Sequence, residues 1–382
     1  LSIAKGAEEA ICIANCFPIF ITSFFSFLVS ILKSTPIFPI FFFIEACVYE
    51  KFKSLSLPKN TLLLILIFSP ILAIIDNTNV GKTSDSELGY GGQIPVVADF
   101  ESCLSKSPDT LVIGNASQGG FISDEYRKEV MKAIESGCDI ISGMHQFLVD
   151  DPELSKAAAK YGVTLTDLRR PPEPPNFPKG SWKKRKIPVL LIVGTDCDTG
   201  KMTTAWEVSE RLKSKGRNVE FIGTGQTGIL LSGAGIPIDA VKADFMAGEI
   251  EHLIDQVPID TELVIIEGQG SLTNQYYAGV TLGLLHGAMP DYMLMTHDPG
   301  RPLDVTDYPL ASMKDVMNLH VDLMKNFRQS KFIGINLLTF KLTQEEAVSE
   351  IERVRTEYGL ATTDLIRFGD GELINAIEGV IP

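Results

Sequence analysis

The 382-residue sequence predicts an α/β protein with two consecutive domains. From residue 71 onward, short apolar runs rich in β-branched residues alternate with amphipathic helical segments, as in parallel sheets buried on both faces. A basic stretch with five prolines, residues 169–186, separates two such series. We therefore expect a first α/β domain over residues 71–170, a proline-rich linker over 171–186 and a second α/β domain over 187–382.

Residues 1–70 differ from the rest of the chain. They contain apolar runs rich in Phe, Ile, Leu and Ser, and the run over residues 10–32 is long enough to span a bilayer. Prolines interrupt these runs, helical periodicity is absent, and the chain begins with Leu. Three interpretations stay open: a signal anchor, a hairpin of membrane segments, or a gene-model artefact translated from non-coding sequence. We expect a cytoplasmic protein unless residues 10–70 form a membrane anchor.

The first domain shows the alternation typical of an open parallel sheet, Rossmann-like in kind. Helices are predicted over 124–137 and 151–162, the second with Asp150 or Asp151 as its cap. The expected strands are 71–76, 94–100, 110–116, 138–148 and 163–169. No G-x-G-x-x-G follows the first strand, so dinucleotide binding is not supported.

The second domain opens with a strand, a glycine-bounded turn, a lysine and a helix. Val189–Val193 is a continuous apolar run, Gly194 ends it, and Gly200-Lys201 begins a segment with helical periodicity. This is the anatomy of a phosphate-binding loop, in which main-chain N–H groups and Lys201 hold an anion. The second domain is therefore predicted to have a P-loop NTPase fold.

Two departures from the standard Walker pattern weaken the case for a magnesium nucleotide. Five residues rather than four separate Gly194 from Gly200, and Met202 stands where a Mg²⁺-binding Ser or Thr is expected. Thr203 comes one position late. Cys197 lies inside the loop, where positive potential is expected to lower its pKa.

Two further segments carry candidate site residues. Residues 219–235 predict a strand that runs into a long glycine-rich loop, and Glu267 ends a buried strand where open α/β sheets build their sites. Three roles stay open for Glu267: a Mg²⁺ ligand, a general base, or a buried carboxylate that caps a turn. His297 follows another strand and suits acid–base work near pH 7.

From these segments we predict three catalytic side chains, Lys201, Glu267 and His297, and two metal ligands, Thr203 and Glu267, if a magnesium nucleotide binds. The residues expected to bind the cofactor are Gly194, Thr195, Asp196, Cys197, Asp198, Thr199, Gly200, Lys201, Met202, Thr203, Gly225, Gln226 and Gly268. A net charge of −14 argues against nucleic acid as a partner. The six cysteines show no metal-ligand spacing.

Several long and rare stretches resemble a bacterial and archaeal P-loop family to which D-glutamate N-acetyltransferase is assigned. They include AIIDNTNVGKT, ISGMHQFLVDDPEL, VGTDCDTGKMTT, GTGQTG, IEGQGSL and GVTLGLLHGAMPD. The resemblance extends from about residue 71 to the C-terminus. Relatives begin with a strand and helix that residues 1–70 do not resemble, so we expect the first domain to be incomplete.

The resemblance implies acetyl transfer from acetyl-CoA to the amine of D-glutamate, a small-molecule substrate. In that reaction Glu267 or His297 would take the amine proton, and Arg301 or Arg367 would bind the substrate carboxylates. Main-chain amides of GTGQTG or of residues 268–270 would stabilise the oxyanion. Substrate pockets commonly lie between domains. His145 of the first domain is therefore a candidate for lining the pocket that binds the amino acid.

The phosphate loop is also similar to that of dethiobiotin synthetase, which shares GTD, the long glycine spacing, GK and an EG turn like Glu267-Gly268. That enzyme uses a lysine on its second strand, which GTGQTG lacks. Two alternatives therefore stay open: a Mg-ATP-dependent ligase or kinase with Thr203 and Asp196 or Glu267 on Mg²⁺, or a nucleotide-binding regulatory protein. Self-association into a homo-oligomer is compatible with the sequence.

Overall fold

The computed structural model describes residues 62–63, 71–88, 92–114 and 120–382. The chain divides after Arg170 into two compact units. The apolar runs over 1–61 and 64–70, with their interpretation as a membrane anchor or a gene-model artefact, lie outside the described residues. Within the described ranges no helix has both the length and the apolar character needed to cross a membrane.

The first unit is built on a six-stranded sheet in the order β3-β2-β1-β4-β5-β6. All of its strand pairs are parallel except those of β1, which runs antiparallel to β2 and β4. The strands are β1 Leu62–Leu63, β2 Ile74–Ile75, β3 Val96–Val97, β4 Thr110–Ile113, β5 Asp139–Ser142 and β6 Leu165–Asp167. The helices are α1 Ser84–Leu88, α2 Asp124–Glu135 and α3 Pro152–Tyr161.

Local signals fix where these elements start and stop. Asp151 caps α3 by accepting the N–H groups of Glu153 and Leu154 at 3.0 and 3.1 Å, and Gly162 ends it with φ 72°. β2 is shorter than expected because the Asp76 carboxylate accepts the N–H of Thr78 at 2.9 Å, which starts a turn directly after the strand. The buried apolar faces of β4, β5 and α2 form the core of this unit.

The second unit is built on an all-parallel six-stranded sheet in the order β12-β11-β10-β7-β9-β8. Its strands are β7 Val189–Gly194, β8 Val219–Ile222, β9 Leu263–Ile266, β10 Tyr292–His297, β11 Lys331–Leu337 and β12 Ala361–Thr363. Every residue of β7 and β9 is buried, as their continuous apolar runs predict.

Seven helices of the second unit flank this sheet within the described chain. They are α4 Lys201–Ser214, α5 Gln226–Ser232, α6 Ala243–Asp255, α7 Ala278–Ala288, α8 Met313–Met324, α9 Gln344–Tyr358 and α10 Leu373–Glu378. Helix α5 corrects one expectation, because residues 226–232 fall within the segment predicted as a long glycine-rich loop. The predicted α/β class with parallel strands is confirmed in both units.

Candidate functional site

The phosphate loop connects β7 to α4 at the carboxyl edge of the second sheet. Gly200 adopts φ 79°, a left-handed conformation that favours glycine, immediately before Lys201 begins the helix. The first hydrogen bond of the helix runs from the N–H of Thr204 to Gly200 O at 2.8 Å. The N–H groups of Lys201, Met202 and Thr203 therefore lack helical acceptors, as the first turn of a helix requires.

Lys201 places a buried ammonium in this loop; only 7% of the residue is exposed. Its Nζ donates to Asp196 O at 2.6 Å and to Thr199 Oγ1 at 3.5 Å, so the side chain folds back over its own loop. Burial lowers the pKa of Lys201. A buried ammonium beside unpaired N–H groups is an arrangement that attracts an anion.

Asp196 fixes the shape of the loop from within. Its carboxylate is fully buried and accepts hydrogen bonds from Arg301, from Asn274 Nδ2 at 2.8 Å and from the N–H of Val305 at 2.8 Å. Arg301 also donates to Cys197 O at 3.0 Å. Asp196 therefore stabilises the loop through residues that follow β9 and β10.

The two arginines that were expected to bind the substrate carboxylates, Arg301 and Arg367, donate hydrogen bonds to other groups of the protein. Arg301 is committed to Asp196 and Cys197. Arg367 donates to Thr339 O at 2.6 Å and to Leu342 O at 2.9 Å. Both guanidinium groups thus have acceptors within the protein.

Cys197 behaves differently from the expectation. Burial raises the pKa of its thiol to about 11, and Lys201 opposes this shift only in part. The prediction of a lowered pKa is wrong, because removing the thiolate from water outweighs the nearby positive charge.

The carboxylate of Glu267 lies at the N-terminal end of a second helix, α5. Its Oε2 accepts the N–H groups of Thr224 at 2.8 Å and Gly225 at 3.2 Å, directly before α5. Its Oε1 accepts from Gln269 Nε2 at 3.2 Å. A Cβ at Gly228, in the first turn of α5, would lie 2.2 Å from Oε2, so only glycine leaves room for the carboxylate. Burial raises the pKa of Glu267 to about 7 despite these hydrogen bonds.

Gly268 brings the Glu267 turn up against the phosphate loop. A Cβ at this position would lie 1.8 Å from Ile192 O and 3.1 Å from Lys201 Cδ. The structure thereby places Lys201 and Gly268 together, and Gly225, which directly precedes Gln226 at the start of α5, contacts Glu267. Lys201 is also close enough to lower the pKa of Glu267 in part.

The predicted metal ligands do not form a shared site through any contact of the described chain. Thr203 is half-buried in the first turn of α4, whereas both oxygens of Glu267 already accept hydrogen bonds. Among the described residues no group of three or more His, Cys, Asp or Glu side chains is placed to hold a metal ion. A Mg²⁺ ion on Glu267 would therefore share these oxygens with three hydrogen-bond donors of the protein.

His297 ends β10 beside the phosphate loop. Its ring Nδ1 lies 2.9 Å from Thr195 Oγ1. Burial lowers the pKa of His297, and neighbouring Asp298 opposes the shift. The main-chain N–H of Thr195 donates to Thr296 O at 3.1 Å, so this amide is already paired, unlike those at the start of α4.

Sequence reasoning missed Asn274 and Val305 as partners of the phosphate loop. Both follow the loop by many residues, and neither lies in a recognisable motif.

A family described as "Domain of unknown function (DUF1611_C) P-loop domain" matches residues 176–374. A second, described as "Domain of unknown function (DUF1611_N) Rossmann-like domain", matches residues 77–171. This chain belongs to the DUF1611 family. The predicted Rossmann-like and P-loop domains are therefore confirmed.

Comparison with individual proteins gives the same family. A D-glutamate N-acetyltransferase from Tritonibacter scottomollicae is 40% identical over 284 residues, which are 74% of this chain and 84% of that protein. Another from a Pseudoalteromonas species is 36% identical over 269 residues, 69% of this chain and 80% of that protein. The crystal structure of a DUF1611 protein from Anabaena variabilis matches with a TM-score of 0.77 at 31% identity, covering 82% of this chain and 92% of that one. The resemblance inferred from the sequence is confirmed.

Proposed function

We propose that this protein is an N-acetyltransferase that moves the acetyl group of acetyl-CoA to the amine of D-glutamate. The proposal follows the name of two relatives that are 40% and 36% identical to it. The observation in the structure that supports it is the unpaired start of α4 beside the buried Lys201 ammonium.

The donors at this position suit the phosphates of coenzyme A. The N–H groups of Lys201, Met202 and Thr203 and the Lys201 ammonium all donate hydrogen bonds, as phosphate oxygens require. The Asp196 carboxylate is held by Arg301 and Asn274. When bound, acetyl-CoA supplies an acyl group activated as a thioester.

The amine of D-glutamate must lose a proton before it can attack. We assign this proton to Glu267, because Oε2 is fixed by the N–H groups of Thr224 and Gly225, while within the described chain Oε1 accepts one hydrogen bond, from the Gln269 amide. The new C–N bond forms as the C–S bond breaks. One proton of the ammonium passes to Glu267 and then to solvent, and a second ends on the sulfur of free CoA.

One assay separates the proposed reaction from its alternatives. The full chain is incubated with D-glutamate and either acetyl-CoA or Mg-ATP, while free thiol and ADP are followed. Thiol release that depends on D-glutamate, with no ADP, supports acetyl transfer. ADP release instead would support the ligase or kinase, and neither product would favour a regulatory nucleotide-binding protein. L-glutamate serves as the stereochemical control.

A further inference from the structure

The adjoining strands β7 and β10 bring one hydroxyl and one imidazole together at the edge of the phosphate loop. Gly194 and Thr296 are paired in the parallel ladder, so the next residues, Thr195 and His297, lie side by side at the carboxyl ends of the two strands. Thr195 Oγ1 and His297 Nδ1 lie 2.9 Å apart. The contact is therefore set by the register of two buried strands rather than by a mobile loop.

The buried Thr195 side chain is placed to form a hydrogen bond with the His297 imidazole and not with a ligand. Only 1% of the residue is exposed, and its main-chain N–H is paired with Thr296 O. Within the described part of the chain, no carbonyl or carboxylate oxygen accepts a hydrogen bond from Thr195 Oγ1, and its one partner is His297 Nδ1. A buried hydroxyl hydrogen without an acceptor is unfavourable, so the Thr195 hydroxyl donates to Nδ1.

This direction of donation fixes the tautomer of the ring. If Nδ1 accepts a hydrogen bond it carries no proton, and the neutral imidazole holds its single hydrogen on Nε2. The nearby Asp298 carboxylate does not compete for the ring, because it accepts from the N–H of Gly300 at 2.9 Å and from Lys341 Nζ at 3.0 Å.

The remaining charged groups around the ring are Glu350, Arg353 and Arg301. Burial is the largest influence on the ring, and it favours the neutral form by lowering the pKa of His297. In the described chain no hydrogen bond involves His297 Nε2, which leaves this atom available to a ligand.

We propose that Thr195 is a positioning residue that holds His297 as the neutral Nε2–H tautomer, so that His297 donates a hydrogen bond to the bound acyl donor. The inference rests on the proposed function for the identity of that acceptor, the carbonyl oxygen on which negative charge develops during attack. It separates the roles of the two candidate bases: Glu267 takes the proton and His297 stabilises charge.

The first test is independent of activity. The full chain is labelled with ¹⁵N-histidine, and the signals of His297 among the five histidines are assigned by their loss in His297→Gln. At pH 7.5 we expect an unprotonated Nδ1 and a protonated Nε2. The opposite tautomer, or a doubly protonated ring, would overturn the inference. Thr195→Val should shift only this histidine toward a mixture of tautomers, and Thr195→Ser should restore the wild-type signals.

The second test uses side chains that can donate but cannot take a proton. His297→Ala should lower kcat for thiol release by about 100-fold, the usual loss when one donor to a developing oxyanion is removed. His297→Gln keeps an amide N–H near the position of Nε2 and should stay within about tenfold of wild type. Equal loss in both variants would show that His297 acts as a base.

The two proposals fail in different ways. Wild-type protein that releases no thiol with D-glutamate would contradict the proposed function and leave the tautomer measurement intact. Normal thiol release with a protonated Nδ1 would contradict only the role given to Thr195. If Thr195→Val does not fold, as judged by circular dichroism, the wild-type spectrum and the His297 pair still decide the question.

Discussion

Two helices of the second unit begin at a glycine on the same edge of the sheet, and they treat that start in opposite ways. Helix α4 follows Gly200, and no described residue accepts a hydrogen bond from its first N–H groups, which lie beside the Lys201 ammonium. Helix α5 follows Gly225, and the Glu267 carboxylate lies against its first turn and accepts the N–H groups of Thr224 and Gly225, the two residues that precede the helix. We call these the open start and the capped start.

The comparison shows which of the two glycine-rich turns already holds an anion of the protein itself. Both present the positive end of a helix dipole. At the capped start the protein supplies its own carboxylate, and Gly228 makes the room for it. The loop at the open start carries two carboxylates: Asp196 is turned toward Arg301 and Asn274, and Asp198 is exposed to solvent.

Removing the ammonium of the open start should have the largest effect. Lys201→Ala is expected to weaken acetyl-CoA binding by about 100-fold, because hydrogen bonds to charged groups contribute about 1.5–3 kcal/mol and 1.4 kcal/mol is about tenfold. Isothermal titration calorimetry measures the change. Lys213→Ala, on the same helix but more exposed, is the matched control and should bind normally. Unchanged affinity in Lys201→Ala would contradict the assignment of the open start as the phosphate-binding site.

Two substitutions of Glu267 separate its role in the cap from its role in proton transfer. Glu267→Ala leaves the N–H groups of Thr224 and Gly225 without an acceptor and should lower the free energy of unfolding by about 2 kcal/mol. Glu267→Gln keeps an acceptor oxygen, so it should fold normally yet lower kcat by about 100-fold. Urea denaturation and thiol release measure the two effects. Full activity in Glu267→Gln would show that the carboxylate only stabilises the turn before α5 and takes no part in proton transfer.

A third buried carboxylate, Glu207 on α4, tests the comparison through pH. It pairs with Arg211 at 2.9 Å rather than with main-chain N–H groups. Burial raises the pKa of Glu207 from 4.5 to about 7, so the folded state holds the proton more tightly than the unfolded state. This contribution to stability is present below about pH 4.5 and is lost as the pH rises through about 7.

Glu207→Gln should therefore reduce the loss of stability between pH 5 and pH 8 by roughly 1–2 kcal/mol. Urea denaturation of both proteins at several pH values gives the two slopes. Identical slopes would mean that the Arg211 pairing cancels the effect of burial.

The smallest effect is expected at Thr203, one position after the place where a nucleotide-binding loop carries its Mg²⁺-binding hydroxyl. Because N–H groups and Lys201 hold the phosphates in our proposal, Thr203→Ala should change acetyl-CoA affinity by less than about threefold. Titration with and without added Mg²⁺ is the measurement. A large loss that appears only with Mg²⁺ and ATP would favour the ligase or kinase.

The elements around the open start could be predicted because their signals are local. Val189–Val193 predicted β7, and Gly200-Lys201 predicted the start of α4, since each depends on residues next to one another in sequence. The capped start could not be predicted in the same way. Its glycines indicated a loop, and the carboxylate that stabilises α5 comes from the end of another strand.

The sequence by itself determined the two α/β units, the phosphate loop and the family, because hydrophobic periodicity and rare motifs are written in consecutive residues. Only the tertiary structure decided which polar and charged groups are already paired: Asp196 with Arg301, Glu267 with the start of α5, and Thr195 with His297. The physical reason is that parallel strands bring distant residues to one edge, and burial there makes every charge and hydrogen bond depend on neighbours that the local sequence does not specify.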